Sequence, residues 1–307
     1  MRSALTLTLI LGGCYELFDL EPAASGAVDE QRSSSSGWAW VEAGREVTCA
    51  TSSTDATMEC WGDMDGWEEN RDTGTDHLGQ IPWGVSWGSL DSGSCEFCGL
   101  SDAGEVTCWG CRVDLTDDAP SGRFEHIETS LWTACAAPAS GPIQCWGTHW
   151  EGGGEPEGWS PPEAPVLDIS VAREHACALM PDGTLSCFGS LGAAPTGSYT
   201  LIDGGEAHHC GLRVDGTVNC WGNDDFGQIS GTPSGTFVDL TAGSYHTCAI
   251  DSFGEVTCWG YDEYGLLEAP GGPLRQLSGG GTYTCGIRDD DGTIHCWGYN
   301  HWGQFPT

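Results

Sequence analysis

Residues 177–189, CALMPDGTLSCFG, contain the signals of a short β-hairpin closed by a disulfide bond. The pair Asp182-Gly183 marks a turn between two β-prone runs, because glycine adopts positive φ without steric cost. Folding about this turn places Cys177 opposite Cys187, and directly opposed residues of an antiparallel pair lie within disulfide reach. The stretch therefore predicts two antiparallel strands that are cross-linked to each other.

This hairpin unit occurs seven times along the chain. Each copy ends in Cys-Trp-Gly, or once in Cys-Phe-Gly, and nine residues separate its cysteines in five copies and ten in the first and last. The copies recur every 33 to 48 residues, a period typical of solenoids, propellers and arrays. The predicted hairpin disulfides are Cys49–Cys60, Cys98–Cys108, Cys135–Cys145, Cys177–Cys187, Cys210–Cys220, Cys248–Cys258 and Cys285–Cys296.

Each repeat has the elements of a small antiparallel sheet. A strand-like stretch precedes the hairpin, as in FVDLT at 237–241, and an aromatic-Gly segment follows it, as in Phe226-Gly227-Gln228. No segment has a helical apolar period. We therefore predict an all-β fold, a seven-bladed β-propeller with four short antiparallel strands and one disulfide per blade. The predicted blades are 38–85, 86–123, 124–165, 166–200, 201–236, 237–273 and 274–307.

Two stretches carry a family resemblance. VDLTAGSYHTCAIDSFGEVTCWG at 238–260 and LIDGGEAHHCGLRVDGTVNCWGNDDFGQ at 201–228 resemble the regulator of chromosome condensation repeat. The resemblance extends over residues 38–307 and implies a seven-bladed propeller. Its nuclear members are exchange factors for a small GTPase, and a secreted bacterial relative inhibits β-lactamase. Neither role transfers residue by residue, and the cysteine pairs depart from the nuclear members in a direction that favours export.

The N-terminus has the pattern of an export signal. Residues 1–13, MRSALTLTLILGG, combine one arginine with an apolar run too short to span a bilayer as a helix. The tetrapeptide Leu11-Gly12-Gly13-Cys14 resembles a bacterial lipobox, which predicts lipidation of Cys14. Sixteen cysteines then remain for complete pairing. The alternative is an ordinary signal peptide followed by a chance cysteine.

The residues after Cys14 predict a flexible tether and a cellular location. Residues 14–37 are rich in Ser, Ala and acidic residues and read as a flexible link between lipid and folded domain. The paired cysteines favour an oxidising compartment. We therefore expect an exported protein that is lipid-anchored in the bacterial cell envelope. Tyr15, where some bacteria use Asp for inner-membrane retention, favours the outer membrane or cell surface.

The charge balance excludes two classes of partner. The chain has 45 acidic and 10 basic residues, and its net charge is -35. Nucleic-acid binding needs basic residues that neutralise phosphates, and adhesion to anionic lipid needs a basic surface. We expect no nucleic-acid partner, membrane contact only through the lipid, a monomeric domain and a protein partner of unknown identity.

Four cysteines on the second hairpin allow two interpretations. Cys95, Cys98, Cys108 and Cys111 form two Cys-x2-Cys pairs with nine residues between them, a spacing found in zinc sites. Cys98 and Cys108 occupy the repeat positions, however, and Cys95 and Cys111 lie symmetrically outside them. We therefore predict an eighth disulfide, Cys95–Cys111, and keep zinc as the alternative.

Three histidines recur two residues before a repeat cysteine. His175, His208 and His246 share this position, whereas other blades have Glu, Thr or Tyr there. A residue that recurs in register is more typical of structure than of catalysis. We predict a structural hydrogen bond inside each blade, and the alternative is a metal site shared by several blades.

Acidic residues lie at the hairpin turns. Asp182, Asp215 and the run Asp289-Asp290-Asp291 occupy these positions, where Asp side chains satisfy local backbone groups. Clustered carboxylates also bind calcium, although neither an EF-hand loop nor a calcium-binding nonapeptide repeat is present. We predict turn formation and no cofactor, with calcium as the alternative.

The tryptophans fall into two groups. Those at the repeat position are predicted to pack between blades: Trp61, Trp109, Trp146, Trp221, Trp259 and Trp297. Exposed aromatic residues outside the repeat would be anchors at a binding surface, and packing along blade edges is the alternative. The candidates for such anchors are Trp67, Trp83, Trp87, Trp132, Trp150 and Trp159.

The sequence predicts binding rather than catalysis. It contains no Gly-x-Ser-x-Gly, His-Glu-x-x-His or phosphate-loop motif. We predict a non-enzymatic propeller that engages a protein through one face. One alternative is an envelope hydrolase or lyase, which perturbed acids converging with a His in one cleft of the central funnel would favour. Another is a salt-adapted acidic surface coat.

Overall fold

The computed structural model describes residues 37–54, 57–62, 82, 85–93, 96–110, 118–130, 133–147, 159–162, 165–173, 175–190 and 194–306. These residues form seven antiparallel sheets, each of three strands consecutive in sequence. Among them, no helix is long and apolar enough to cross a membrane.

The strands are given by their order within each sheet. The first strands are β1 Trp38–Ala43, β4 Trp87–Ser92, β7 His126–Thr129, β10 Asp168–Val171, β13 Tyr199–Gly204, β16 Asp239–Ala242 and β19 Leu274–Gly279. The second strands are β2 Val47–Ser52, β5 Glu96–Ser101, β8 Thr133–Ala137, β11 His175–Leu179, β14 His208–Arg213, β17 His246–Ile250 and β20 Tyr283–Arg288. The third strands are β3 Met58–Gly62, β6 Val106–Gly110, β9 Gln144–Gly147, β12 Leu185–Gly189, β15 Val218–Gly222, β18 Val256–Gly260 and β21 Ile294–Gly298.

The seven sheets close into a ring. The first strand of each sheet contacts the first strands of the sheets before and after it, and β19 contacts β1. At this last interface the backbone N–H of Ala43 donates to Ser278 Oγ at 2.7 Å, and Gln276 Nε2 donates to the Val41 carbonyl at 3.0 Å. Backbone hydrogen bonds, such as that from Trp38 N–H to the Gly292 carbonyl at 2.9 Å, join the same two blades. Because every sheet is one contiguous segment, these contacts between the last and first sheets, rather than a shared strand, close the propeller.

The predicted disulfides are confirmed in all seven blades. In each blade the first cysteine lies directly opposite the second in the register of strands two and three, as Cys177 lies opposite Cys187. The Cα atoms of every pair are 4.0 Å apart. The local hairpin geometry inferred from one repeat therefore holds for the whole ring.

The predicted all-β fold of seven blades with one disulfide per blade is confirmed, and each described sheet has three strands where four were predicted. The aromatic-Gly segments that were expected to supply a fourth strand form turns instead. In the fifth blade, Gly227 has a φ of +83° and Gln228 Oε1 accepts the backbone N–H of Phe226 at 2.9 Å. This blade also begins earlier than predicted, since β13 starts at Tyr199 rather than after residue 200.

An apolar cluster fills each interface between neighbouring blades. The repeat tryptophans pack in these clusters against the preceding blade, which confirms their predicted role. Two of them also donate their indole N–H to that blade's turn segment. Trp259 Nε1 donates to the Gln228 carbonyl at 2.9 Å, and Trp297 Nε1 donates to the Leu266 carbonyl at 3.0 Å.

The loops between first and second strands, here called the inner loops, are bonded to one another. Backbone N–H groups donate to carbonyls of the next inner loop: Glu206 to Ser244 at 3.0 Å and Ser244 to Gly280 at 3.2 Å. A glycine permits this approach. A Cβ on Gly243 would lie 2.1 Å from His246 Cε1 and 2.4 Å from the Gly280 carbonyl oxygen.

Replacing this glycine will destabilise the ring. We expect Gly243→Ala to lower the free energy of unfolding by about 3 kcal/mol, because the added methyl group meets a buried ring and a backbone oxygen at once. The matched control is Gly271→Ala, whose Cβ would meet nothing within 4 Å. It should change stability by less than about 0.5 kcal/mol. Denaturant unfolding of the two oxidised variants makes the comparison, and equal midpoints would contradict the close-approach argument.

Candidate functional site

The first strands line a central channel with a cavity of about 420 Å³. One side chain per blade occupies a fixed position on these strands, opposite the first cysteine of the next strand and seven residues before it in sequence. All of them except Ser170 line the cavity. We call this set the cysteine-level ring. Its members are Glu42, Asp91, Glu128, Ser170, Asp203, Thr241 and Ser278.

Most members of the cysteine-level ring bond to the following blade. Asp91 Oδ2 accepts the backbone N–H of Thr129, and also its hydroxyl at 2.9 Å. Asp203 Oδ2 accepts the backbone N–H of Ala242 at 2.8 Å, and Thr241 Oγ1 accepts that of Gly279 at 2.8 Å. Because the same hydrogen bond to the next blade recurs around the propeller, these side chains hold neighbouring first strands together.

Burial and mutual repulsion perturb the channel carboxyls. Burial away from solvent is the main reason that the pKa of Asp91 is raised to about 7 and that of Asp203 to about 6. Burial, together with the charge of Asp91, also raises the pKa of Glu42 and of Glu128 well above the usual range. The ring therefore carries less negative charge at neutral pH than its composition implies.

A second set of channel residues lies on the same strands, two positions before the members of the cysteine-level ring. It includes Asp168 and Asp239, whose pKa values burial raises to about 7 and about 6. His126 lines the same cavity, and burial lowers its pKa. Perturbed acids and a histidine therefore share one cavity, the arrangement stated above as favouring an enzyme.

The three repeat histidines do not enter the channel. They are buried on second strands, and burial is the main cause that lowers the pKa of His175 and His208 to about 4 and that of His246 to about 3. His246 Nε2 is 2.7 Å from Thr284 Oγ1, and His208 Nε2 is 2.9 Å from Thr247 Oγ1. The prediction of a bond inside each blade was wrong, because these bonds join one blade to the next.

The turn aspartates bond locally, as predicted for turn formation. Asp182 Oδ1 accepts the backbone N–H of Thr184 at 3.0 Å and its hydroxyl at 2.6 Å, and Asp215 and Asp291 repeat the arrangement. These hydrogen bonds lower the pKa of all three carboxyls. Among the described residues, no group of three or more His, Cys, Asp or Glu side chains is arranged to hold a metal ion.

The proposed zinc ligands are not all free. Cys98 and Cys108 are bonded to each other, so the four-cysteine zinc alternative does not form. Cys14, Cys95 and Cys111 lie outside the described residues, and the lipidation and eighth-disulfide predictions therefore stay predictions.

Two of the candidate binding tryptophans are described, and both pack against the blades. The ring centroid of Trp87 lies 5.2 Å from that of Trp109, and the centroid of Trp159 lies 5.0 Å from that of Phe188. Both are partly buried at blade interfaces, which fits the packing alternative. The candidates outside the described residues are Trp67, Trp83, Trp132 and Trp150.

Exposed aromatic rings instead gather on one face of blades five to seven. This loop face carries the inner loops and the segments after the third strands, which are joined by backbone bonds such as Tyr261 N–H to the Tyr245 carbonyl at 2.9 Å. The hairpins between second and third strands form the opposite, hairpin face. We define the aromatic surface as Phe226, Tyr245, Tyr261, Tyr264, Tyr299 and Trp302.

The rings of the aromatic surface contact one another. The centroid of Phe226 lies 5.4 Å from that of Tyr245 and 5.0 Å from that of Tyr261, both edge to face. The centroids of Tyr264 and Tyr299 are 4.7 Å apart. Phe226, Tyr264 and Trp302 remain 44%, 43% and 40% exposed.

Both features have a signal in the sequence that the motif-based predictions did not include. An acidic or hydroxyl residue stands seven positions before every first repeat cysteine, a constant spacing that marks the cysteine-level ring. The aromatic-Gly segments were assigned to a fourth strand. Their Gly residues, such as Gly227 and Gly303, have positive φ, so the turns present the preceding aromatic residue outward.

Comparisons with known proteins agree with this architecture. The family model described as the regulator of chromosome condensation (RCC1) repeat matches residues 199–228 and 237–266, in the fifth and sixth repeats. No curated protein matches the sequence as a relative.

Solved structures show the same fold at low identity. The CRINKLY WD40 ectodomain of the Arabidopsis thaliana receptor kinase ACR4 is 20% identical, with a TM-score of 0.69 over 88% of this chain and 98% of that one. The ectodomain of the Physcomitrella patens receptor kinase CR4 is 23% identical, with a TM-score of 0.67 over 87% and 73%. Prp20p from Saccharomyces cerevisiae, described with its binding to Gsp1p and histones, is 14% identical, with a TM-score of 0.60 over 85% and 82%.

Proposed function

We propose that this chain is a non-enzymatic binding domain. The premise is that it is a seven-bladed propeller of RCC1-type repeats. Its partner is a protein, and the contact is made through the aromatic surface on the loop face. The observation that carries the proposal is the gathering of exposed aromatic rings on adjacent blades of one face. Aromatic residues are enriched in the buried centres of protein interfaces.

The aromatic surface has the rigidity that binding favours. The rings of Phe226, Tyr245 and Tyr261 pack on one another, so little side-chain freedom remains to be lost when a partner binds. The segments that carry them are tied to the inner loops by backbone hydrogen bonds. Related propellers include one described as binding Gsp1p and histones, which agrees with a protein partner for this fold.

We also propose that the domain is exported and lipid-anchored through Cys14 in the bacterial cell envelope. The seven disulfides support an oxidising compartment, and the fold is similar to that of two receptor ectodomains. Intact mass and non-reducing peptide mapping of envelope-derived protein test this address. A lipidated Cys14 with a Cys95–Cys111 pair supports it, and an unmodified Met1 with free thiols would refute it.

Removing the aromatic surface will abolish partner capture. In cross-linking of the full-length protein in envelope preparations, we expect the double variant Phe226→Ala/Tyr264→Asn to lose at least about 90% of the cross-linked partner, since central aromatic anchors contribute most of the binding energy. The matched control is Phe253→Ala, which removes an 81% exposed ring from the hairpin face. Equal capture by the two variants would refute the assignment of this face.

The channel supports a second candidate function, hydrolysis or elimination by a carboxyl pair. The observation that favours it is the convergence of perturbed acids with His126 in one cavity. Two of the acids, Asp91 and Asp203, are already engaged by backbone N–H groups, which favours a structural role. Turnover of chromogenic glycosides at pH 4–7 that disappears in Glu128→Gln would support the enzyme, and a complete absence of turnover would leave binding as the function.

A further inference from the structure

We infer that the aromatic surface takes a cationic protein segment, one that presents arginine or lysine side chains to its rings. This inference rests on the proposed function and names the chemistry of its partner. Guanidinium and ammonium groups are attracted to the faces of Trp, Tyr and Phe, and the attraction strengthens when the contact excludes water. On two of its segments, 223–231 and 261–269, the surface combines such rings with carboxylates.

Charge complementarity identifies the occupant. Tyr245 stands on an inner loop, and the other five rings stand on three segments, 223–231, 261–269 and 299–305, which hold five acidic residues and no arginine or lysine. The acids of these segments are Asp224, Asp225, Asp262, Glu263 and Glu268, and all are exposed. A partner with basic side chains therefore meets negative charge on the segments that carry Phe226, Tyr261 and Tyr264, whereas an acidic or purely apolar partner would leave those carboxylates unpaired.

The carboxylates and rings are held in one arrangement. The Tyr261 hydroxyl donates to Glu263 Oε2 at 2.5 Å, which fixes an acidic group beside an aromatic one. Asp224 Oδ1 accepts the backbone N–H groups of Ile229 and Ser230 at 2.8 and 2.9 Å, which fixes the turn that carries Phe226. The surface is therefore pre-organised for a cation.

The chain's own arginines limit where the partner lies. Arg45 and Arg173 stand on inner loops at the mouth of the channel, and Arg173 Nη1 is 3.5 Å from Glu206 Oε1. Their charge opposes a basic segment at the mouth itself. The favoured path therefore runs over the segments after the third strands, around the outside of the loop face.

A strained residue lies at the centre of this path. Tyr264 is the one non-glycine residue with positive φ among the residues the structure describes, at +61°. A bulky side chain is unfavourable in this conformation and persists where the surroundings or the function require it. The left-handed backbone of Tyr264 holds its exposed ring against Tyr299, where both rings are available to a cation.

The test uses a defined probe, a twelve-residue peptide of alternating arginine and serine, and its matched peptide with citrulline in place of arginine. Fluorescence polarisation with the full oxidised protein at about 0.15 M salt measures both dissociation constants. We expect the arginine peptide to bind at least about tenfold tighter than the citrulline peptide. Equal affinity of the two peptides would overturn the inference.

Paired charge variants separate a local site from the overall acidity. We expect Asp262→Asn/Glu263→Gln to weaken binding of the arginine peptide about fivefold, and Glu105→Gln/Glu255→Gln on the hairpin face to weaken it less than twofold. Both variants neutralise two exposed acids. Equal weakening would mean that the peptide follows net charge alone, which would overturn the inference.

A third variant separates binding from folding. Tyr264→Asn removes the ring but keeps a residue that tolerates the left-handed conformation, so we expect weaker peptide binding, by about fivefold, with no fall in the unfolding midpoint. Unchanged binding in this variant would also overturn the inference. The proposed function fails separately, if partner capture in the envelope is indifferent to the aromatic surface while the peptide still binds there.

Discussion

Reduction of the hairpin disulfides will unfold the propeller. Each bond joins cysteines that are ten or eleven positions apart in sequence. Closing a loop of this length stabilises a fold by about 3 kcal/mol in the chain-entropy model. Seven such bonds in separate blades sum to about 20 kcal/mol, more than the 5–15 kcal/mol of net stability that is usual for a domain. We therefore expect no cooperative thermal transition in the fully reduced protein.

The measurement is near-ultraviolet circular dichroism and tryptophan fluorescence with and without a thiol reductant, after complete reduction in denaturant. The matched control is the same protein unfolded and diluted back with its disulfides intact. A single-blade variant, Cys210→Ala/Cys220→Ala, should lower the free energy of unfolding by about 3 kcal/mol. Reduced protein that keeps the native spectrum would show that the interfaces between blades alone hold the ring.

Neutralising Asp168 will stabilise the protein in alkaline solution. Burial raises the pKa of this carboxyl from 3.8 to about 7, so the folded state favours its neutral form. Such a group contributes stability that is fully present below pH 4 and lost as pH rises through 7. We expect Asp168→Asn to raise the free energy of unfolding by about 2–4 kcal/mol at pH 8 and to change it little at pH 4.

A turn aspartate provides a control of opposite sign. Hydrogen bonds from Thr184 lower the pKa of Asp182, so its charged form stabilises the fold, and that contribution is lost as pH falls. Asp182→Asn should therefore lower stability at pH 8 and lose its effect in acid. Denaturant titrations at both pH values compare the variants, and a destabilising Asp168→Asn at pH 8 would contradict the account of the channel.

The buried histidines change the stability of the fold with pH in the opposite direction to the channel acids. Burial lowers the pKa of His246 to about 3 and that of His208 to about 4, so their contribution is lost as pH falls from 6.5 through these values. The acids lose theirs as pH rises through 6 and 7. The loss from the acids begins near their ordinary pKa of 3.8, so the two sets partly cancel between pH 4 and 6.5. Above pH 6.5 only the loss from the acids continues. Stability of the unmodified protein should therefore fall between pH 6.5 and 8, which denaturant titrations at the two pH values measure.

The blades were predictable because their signals are local. Cys210 and Cys220, with Asp215-Gly216 between them, lie within one hairpin, so sequence spacing alone sets which residues face each other. The turn that replaces the predicted fourth strand could not be predicted in this way. The segment around Phe226 turns back because Gly227 adopts positive φ and Gln228 bonds the turn, and a short aromatic-Gly stretch is compatible with either conformation.

The sequence by itself determined the number of blades, the disulfide within each and the turn chemistry, since each depends on residues about a dozen positions apart. The tertiary structure decided what the blades present to one another and to solvent. His246 meets Thr284, 38 residues away, and Asp203 meets Ala242, 39 residues away, only because the ring sets neighbouring blades side by side. The same closure raises the pKa values of acids from separate repeats, since it brings their carboxyls into one desolvated channel.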